Sequence, residues 1–214
     1  MKNKKNKMQI LIIVLIILFI GWIAYGYFSV RSVEQLNYKI LDDSKEYEIR
    51  LIDEHITAET NLKGTFQSGG NDAFKIIAGY IFGNNKKKQK IAMTTPVIQE
   101  ESEKIAMTTP VIIDDEAKDS KFSFVMPSEY TLDTLPEPID SRVKLVKVEP
   151  YKVAVLRFSG FFRDNNYKKH KEELINYLKR DNLRFSRIIS AGYNPPWTPP
   201  FMTRLEVWAV LEEK

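Results

Sequence analysis

From Ile10 to Phe28 the chain runs through nineteen residues without a charged, amide or aliphatic-hydroxyl side chain, and no other feature constrains the fold as much. A helix over residues 8–28 is about 31 Å long at 1.5 Å per residue, the thickness of a bilayer's hydrocarbon core. Thirteen of the nineteen are Leu, Ile, Val or Phe, each favouring insertion by roughly 0.3 to 0.6 kcal/mol, with no charge in opposition. Trp22, Tyr25 and Tyr27 fall where an interfacial aromatic belt belongs. Lys2, Lys4, Lys5 and Lys7 precede the run and only Arg31 and Glu34 follow closely, which puts the N-terminus in the cytoplasm and the rest of the chain outside. Ala24-Tyr25-Gly26 also fits a signal-peptidase site, but the apolar stretch exceeds the roughly 7 to 15 residues of a signal peptide, so a retained single-pass anchor in the cell membrane is expected. The expected organisation is a basic tail (1–7), a transmembrane anchor (8–28), a linker (29–37) and one folded domain (38–214).

Charge narrows the partners. The net charge is +4, from 32 Lys plus Arg against 28 Asp plus Glu. The four N-terminal lysines account for all of it, because removing them leaves 28 basic against 28 acidic side chains. A neutral body with mixed charge lacks the long-range attraction to phosphate on which nucleic-acid binders rely, so nucleic acid is not an expected partner. The chain has no cysteine, which removes thiol catalysis, thiolate-bound zinc and iron–sulfur clusters. No G-x-S-x-G, H-E-x-x-H or glycine-rich phosphate loop occurs, and Asp114-Asp115-Glu116 reads as a solvated turn. An enzyme is therefore not expected.

Periodicity outlines the domain. Tyr47, Ile49 and Leu51 alternate with Glu48 and Arg50, as in a half-buried strand, and Ile56–Thr60 is the next. After a turn-rich stretch over 64–70, Asn71 or Asp72 is placed to cap a helix with Phe74, Ile77, Ala78, Ile81 and Phe82 on one stripe. Lys86, Lys87, Lys88 and Lys90 read as a solvated basic loop. An identical nine-residue segment then occurs twice, at 90–98 and 104–112, separated by five polar residues. Two equal β-prone segments joined by a short loop predict a hairpin, with Pro96 and Pro110 confining its strands to sheet edges or bulges. Strands are expected over 122–126, 142–148, 151–158, 187–191 and 204–211, and a second helix from Asn165 or Asn166 to about Arg180. Tyr47-Glu48-Ile49 and Tyr151-Lys152-Val153 each open a strand, loop, helix, strand succession, a faint internal echo. The reading is an α+β domain with mostly antiparallel strands and two helices on a curved sheet or barrel.

Tyr47-Glu48-Ile49-Arg50, the doubled Lys-Ile-Ala-Met-Thr-Thr-Pro-Val, Phe124-Val125-Met126-Pro127-Ser128, the run Val153–Gly160 and Tyr193-Asn194-Pro195-Pro196-Trp197-Thr198 together resemble the SOUL haem-binding family, in the right order over roughly residues 37–212. The resemblance implies a distorted antiparallel β-barrel of two related halves, each with a helix. It also implies non-covalent binding of haem or another tetrapyrrole. Carried over by position, the family's site between first helix and late loop becomes Phe74, Ile77, Ala78 and Ile81 facing Tyr193, Pro196, Trp197 and Phe201. Arg204 and Lys75 are then expected to meet the propionates.

An axial ligand is not expected. Only His55 and His170 exist, and the position directly after the Tyr-Glu-x-Arg motif, a histidine in some family members, is Leu51. His55 is kept as a minor candidate. The expected function is that of a membrane-anchored tetrapyrrole carrier or buffer with an apolar pocket. The half-repeat architecture also resembles bacterial effector-binding domains, so another amphipathic small molecule is the alternative ligand. An acidic residue facing the cavity, in place of Arg204, would point to that alternative.

Overall fold

The computed structural model describes residues 2–31, 33–43, 46–64, 66–87, 104–114 and 120–212. The first element, α1 (Lys2–Arg31), contains a stretch, Asn6–Ser29, long and apolar enough to cross a membrane. The domain follows as β1 (Tyr38–Asp43), β2 (Glu48–Ile52), β3 (His55–Asn61), α2 (Phe66–Ile81), β4 (Asn85–Lys86), β5 (Val111–Asp114), β6 (Lys121–Val125), β7 (Glu137–Pro138), β8 (Lys144–Val148), β9 (Tyr151–Phe158), α3 (Asp164–Arg180), β10 (Phe185–Gly192) and β11 (Leu205–Leu211). Nine strands form one antiparallel sheet in the order β1-β2-β9-β11-β10-β5-β6-β3-β8, while β4 and β7 make a separate short ladder. Among the described residues β1 and β8 remain edges, so the curled sheet is a half-barrel and not a closed barrel.

The order is palindromic about the β5–β10 junction. Within the first half β3 pairs with β6 and β6 with β5, and within the second β9 pairs with β11 and β11 with β10. The opening strand of each half is exchanged, with β2 on β9 and β8 on β3. Two related halves are present, but the echo between Tyr47 and Tyr151 is displaced by one strand. Tyr47 precedes β2, whereas Tyr151 opens β9 and sits opposite Ile52 of β2. The counterpart of β9 is β3, which begins at His55.

Alternation along the strands separates two faces. On one, Ala58, Phe122 and Phe124 receive Ala73, Ile77, Tyr80 and Ile81 of α2. On the same side Ala154, Leu156, Ile188 and Val207 receive Tyr167, Leu174 and Leu178 of α3. Among the described residues the other face carries no helix, and it is filled by Ile52, Val153, Val155, Ile189 and Trp208, with Tyr193 at its end. Asp164 in the first turn of α3 and Lys179 and Arg180 in the last complement its dipole.

Three expectations need correction. The helix α2 begins at Phe66, not at Asn71 or Asp72, and runs through Gly69 and Gly70. Close packing explains this, since a Cβ on Gly69 would stand 2.2 Å from the Lys63 carbonyl oxygen. An additional edge strand, β1, lies where no alternation marked one, because its residues are exposed on both faces. The repeat does not form the expected hairpin through its second copy. Val111 and Ile112 of that copy belong to β5, whose two edges are taken by β10 and β6. Pro110 tolerates this because the ladder begins one residue beyond it. The first copy at 90–98 and the connector to the second lie outside the described residues.

Candidate functional site

The second repeat copy instead ties the entry segment of the domain to the edge of a cavity. Leu36 N–H donates to the Thr109 carbonyl and Thr109 N–H to the Glu34 carbonyl, both at 2.9 Å. Thr108 is buried and donates its hydroxyl to the Val125 carbonyl. Ser128 N–H donates to a Glu34 carboxylate oxygen at 3.0 Å. Together these contacts frame a cavity of about 600 Å³ with Leu36, Ile56, Val125, Met126, Tyr130 and Leu132 among its walls. Glu34, Glu54, Asp133 and Lys147 line it too.

His55, the first residue of β3, stands in the wall of this cavity and of a neighbouring one of about 340 Å³ that also reaches Tyr151, Ile112 and Ile189. It is 9% exposed. Its Nδ1 lies 2.8 Å from the Asp53 carbonyl oxygen. A carbonyl only accepts, so Nδ1 carries the hydrogen and Nε2 keeps its lone pair. Burial lowers the imidazole pKa below its ordinary 6.5, outweighing the opposite pull of the Asp53 carbonyl and Glu59. The ring is therefore neutral near pH 7, with its tautomer fixed by the backbone. That is the state in which histidine ligates a metal. Among the described residues no cluster of three or more His, Asp or Glu side chains could hold a metal.

The structure does not bring the two halves of the sequence-predicted site together. Ile77 and Ile81 are wholly buried and Ala78 nearly so, packed by α2 onto the sheet. Phe74 is half-exposed with its ring 5.7 Å from Phe124. Tyr193 lies on the helix-free face of the sheet, in a different apolar cluster from the α2 residues. Pro196, Trp197 and Phe201 are exposed on the late loop, beside α1. Lys75 borders a polar cavity of about 710 Å³ on the outer side of α2, together with Lys63, Asp72, Asp140, Arg142 and Lys144. His170 is engaged on α3, stacked on Phe158 at 3.9 Å with Nδ1 at 2.8 Å from the Asn166 carbonyl.

Arg204 is committed elsewhere. Its guanidinium contacts the Glu206 carboxylate at 2.7 and 2.9 Å, donates to Gln35 Oε1 and lies over the Tyr193 ring at 3.9 Å. Glu206 is fully buried on the helix-free face and also receives Arg50 at 3.0 and 3.2 Å, Trp208 Nε1–H at 2.7 Å and the Tyr193 hydroxyl at 2.8 Å. Burial by itself would raise the Glu206 pKa, but Arg204, Arg50 and the Trp208 hydrogen bond hold it below the ordinary value. Tyr193 is pushed well above its ordinary value, first by burial and then by the Glu206 charge. An acidic residue thus does face inward, but two guanidiniums already neutralise Glu206, so that carboxylate is not open to a cationic ligand; the carboxylates of Glu34, Glu54 and Asp133 do line the His55 cavity.

Sequence reasoning held His55 only as a minor candidate and read the 34–37 segment as linker. The available signal was the alternation His55, Thr57, Glu59 against Ile56 and Ala58, which turns His55 away from the helix-covered face. Its meaning depended on a strand start that propensity does not mark.

Comparison with known proteins agrees with this fold. Proteins called Heme-binding protein 1 from Xenopus laevis and Xenopus tropicalis are 25% and 24% identical to the chain over 146 residues, covering 68% of it and 72% of each relative. The solved EcmrR C-terminal domain superposes with a TM-score of 0.54 at 10% identity, covering 83% of this chain and 99% of that one. A hydrolase from Listeria innocua gives 0.50 at 14% identity, covering 80% and 94%. At such identities those two structures bear on the fold alone. Residues 33–210 match the family described as SOUL heme-binding protein, and with the half-repeat sheet that carries the match, the chain belongs to that family.

Proposed function

We propose that this chain is a membrane-tethered binder of haem or a closely related tetrapyrrole, with the macrocycle in the His55 cavity and His55 Nε2 facing the iron. Family membership supplies the ligand class. The observation that carries the choice of cavity is a buried, neutral, backbone-oriented histidine in the wall of a space with both apolar and charged walls, whose volume lies within the usual range of ligand pockets. The carboxylates of Glu34, Glu54 and Asp133 oppose ion pairing with porphyrin propionates, and Lys147 is already bound to Glu54 at 2.8 Å. Recognition accordingly falls on the flat apolar faces and on iron. The bound group is held without a covalent link, and the role is carriage or buffering, not a reaction. The helix α1 keeps the domain at a membrane, with the N-terminus cytoplasmic and the domain outside.

An absorption titration of the full chain in detergent micelles with hemin and with iron-free protoporphyrin tests this. Hemin is expected to shift its Soret band and to bind at least tenfold more tightly than protoporphyrin, one ligand bond being worth about 1.4 kcal/mol or more. Trp197→Ala is expected to leave hemin binding unchanged. Equal affinities together with loss on Trp197→Ala would return the site to the space between α2 and the late loop.

A further inference from the structure

The late loop does not line the His55 cavity and has a different set of partners. Helix α1 lies against it along a single stripe. Trp22 Nε1–H donates to the Trp197 carbonyl at 2.7 Å, and the rings of Phe19 and Phe201 are 6.5 Å apart. Gly26 is buried, and a Cβ there would stand 2.7 Å from Pro199 Cδ and 3.7 Å from Thr198 Cγ2. Residues 19, 22 and 26 recur at helical spacing on one face, and glycine at the third lets the loop approach closely. These contacts lie inside the apolar stretch, not at its end. Trp22 precedes Ser29, the last residue of that stretch, by about 10 Å along the helix, and Phe19 by about 15 Å.

Several of the loop's backbone groups are satisfied within the protein, while the Thr198 hydroxyl is buried without a hydrogen-bond partner. Backbone N–H and C=O groups without partners are costly in a bilayer. Pro195, Pro196, Pro199 and Pro200 have no N–H to satisfy. Thr198 N–H donates to the Pro195 carbonyl, Met202 N–H to that of Pro199, and both Thr203 N–H and Gly160 N–H to that of Pro200. The Trp197 carbonyl receives Trp22. Meanwhile the large side chains point outward, with Trp197 52%, Phe201 61% and neighbouring Phe161 58% exposed. An exposed Arg163 guanidinium lies 4.8 Å over the Phe161 ring, a cation placed to meet lipid phosphate.

We infer that this end of the domain is a second membrane contact. Trp197, Phe201 and Phe161 enter the headgroup and upper acyl region of the bilayer that α1 spans, so the domain is seated on the membrane and not suspended from a flexible tether. The inference rests on the membrane reading of α1 given above. It also assigns the aromatic loop to lipid, where the family resemblance assigned it to the tetrapyrrole.

Because the chain has no cysteine, a single nitroxide label can be placed at will in the full protein. Phe201→Cys, Trp197→Cys, Trp22→Cys and Ile139→Cys are each labelled and reconstituted in phosphatidylcholine–phosphatidylglycerol vesicles. Collision with oxygen is then compared with collision with a water-soluble nickel chelate. Ile139, exposed on the β7–β8 connection, is the aqueous reference. The oxygen-to-nickel ratio at 201 and 197 is expected to exceed that at 139 several-fold and to approach that at 22. A ratio at 201 and 197 equal to that at 139, with a lipid-like ratio at 22, would overturn the seated loop and leave the anchor standing. A water-like ratio at 22 as well would overturn both.

Discussion

Replacing Glu206 with alanine is expected to remove a large share of the domain's stability, a loss of about 3 to 5 kcal/mol out of a total that for domains of this kind is only about 5 to 15 kcal/mol. The carboxylate accepts from Arg50, Arg204, Trp208 and Tyr193 on the helix-free face. Without it the Arg50 and Arg204 side chains, 2% and 17% exposed, confront each other across a cavity. Arg50 keeps only Glu48 as a carboxylate partner, at 2.7 Å. Glu206→Gln preserves the shape and part of the hydrogen bonding, so a smaller loss is expected. A urea titration of each variant measures both. A midpoint for Glu206→Ala within a few tenths of a kcal/mol of wild type would show that the cluster contributes nothing net. The pH dependence has a definite sign. Glu206 has a folded pKa below its ordinary value, so its contribution is present above the unfolded pKa and is lost as pH falls through the folded one.

His55→Ala is expected to abolish the preference for hemin over protoporphyrin and to weaken hemin binding at least tenfold, a difference of about 1.4 kcal/mol or more. His55→Gln should behave alike, because it restores polarity but not the ligand nitrogen. Wild-type hemin affinity is expected to be steady above pH 6.5 and to decline as pH falls through the depressed pKa of the folded imidazole, where Nε2 takes a proton. Burial of neutral His55 works in the same direction on stability, which is full above the unfolded value of about 6.5 and falls below it. In His55→Gln both declines should vanish from that window. Hemin affinity unaltered in His55→Ala would remove His55 from the site.

Much of the fold was legible because its elements follow strong periods. The strand over 151–158 emerges with the expected bounds, and the second helix ends at Arg180 as expected but begins at Asp164, a residue or two early, since Val153, Val155 and Leu174, Leu178 mark a two-residue and a helical period respectively. Where tertiary pairing decides, the sequence misleads. Adjacent identical segments imply a hairpin, but Val111 and Ile112 find better partners in β6 and β10. The site was less legible still. The same apolar stripe of α2 that looks like a pocket wall is what a core helix needs to bury, and Ile77 and Ile81 are spent that way. Arg204 looked available because no local pattern reveals Glu206 and Arg50 at its side. His55 stood only as a minor candidate because no local pattern marks its orientation by the Asp53 carbonyl or its burial.

The exchange of opening strands between the halves governs how the chain can be made. When residues up to about 148 have left the ribosome, the edge of β5 that will meet β10 is still bare, and β2 has no β9 to lie on. The nascent protein must therefore wait for its last sixty or so residues before its longest ladders can zip, and any handling factor that shields such edges acts over that interval.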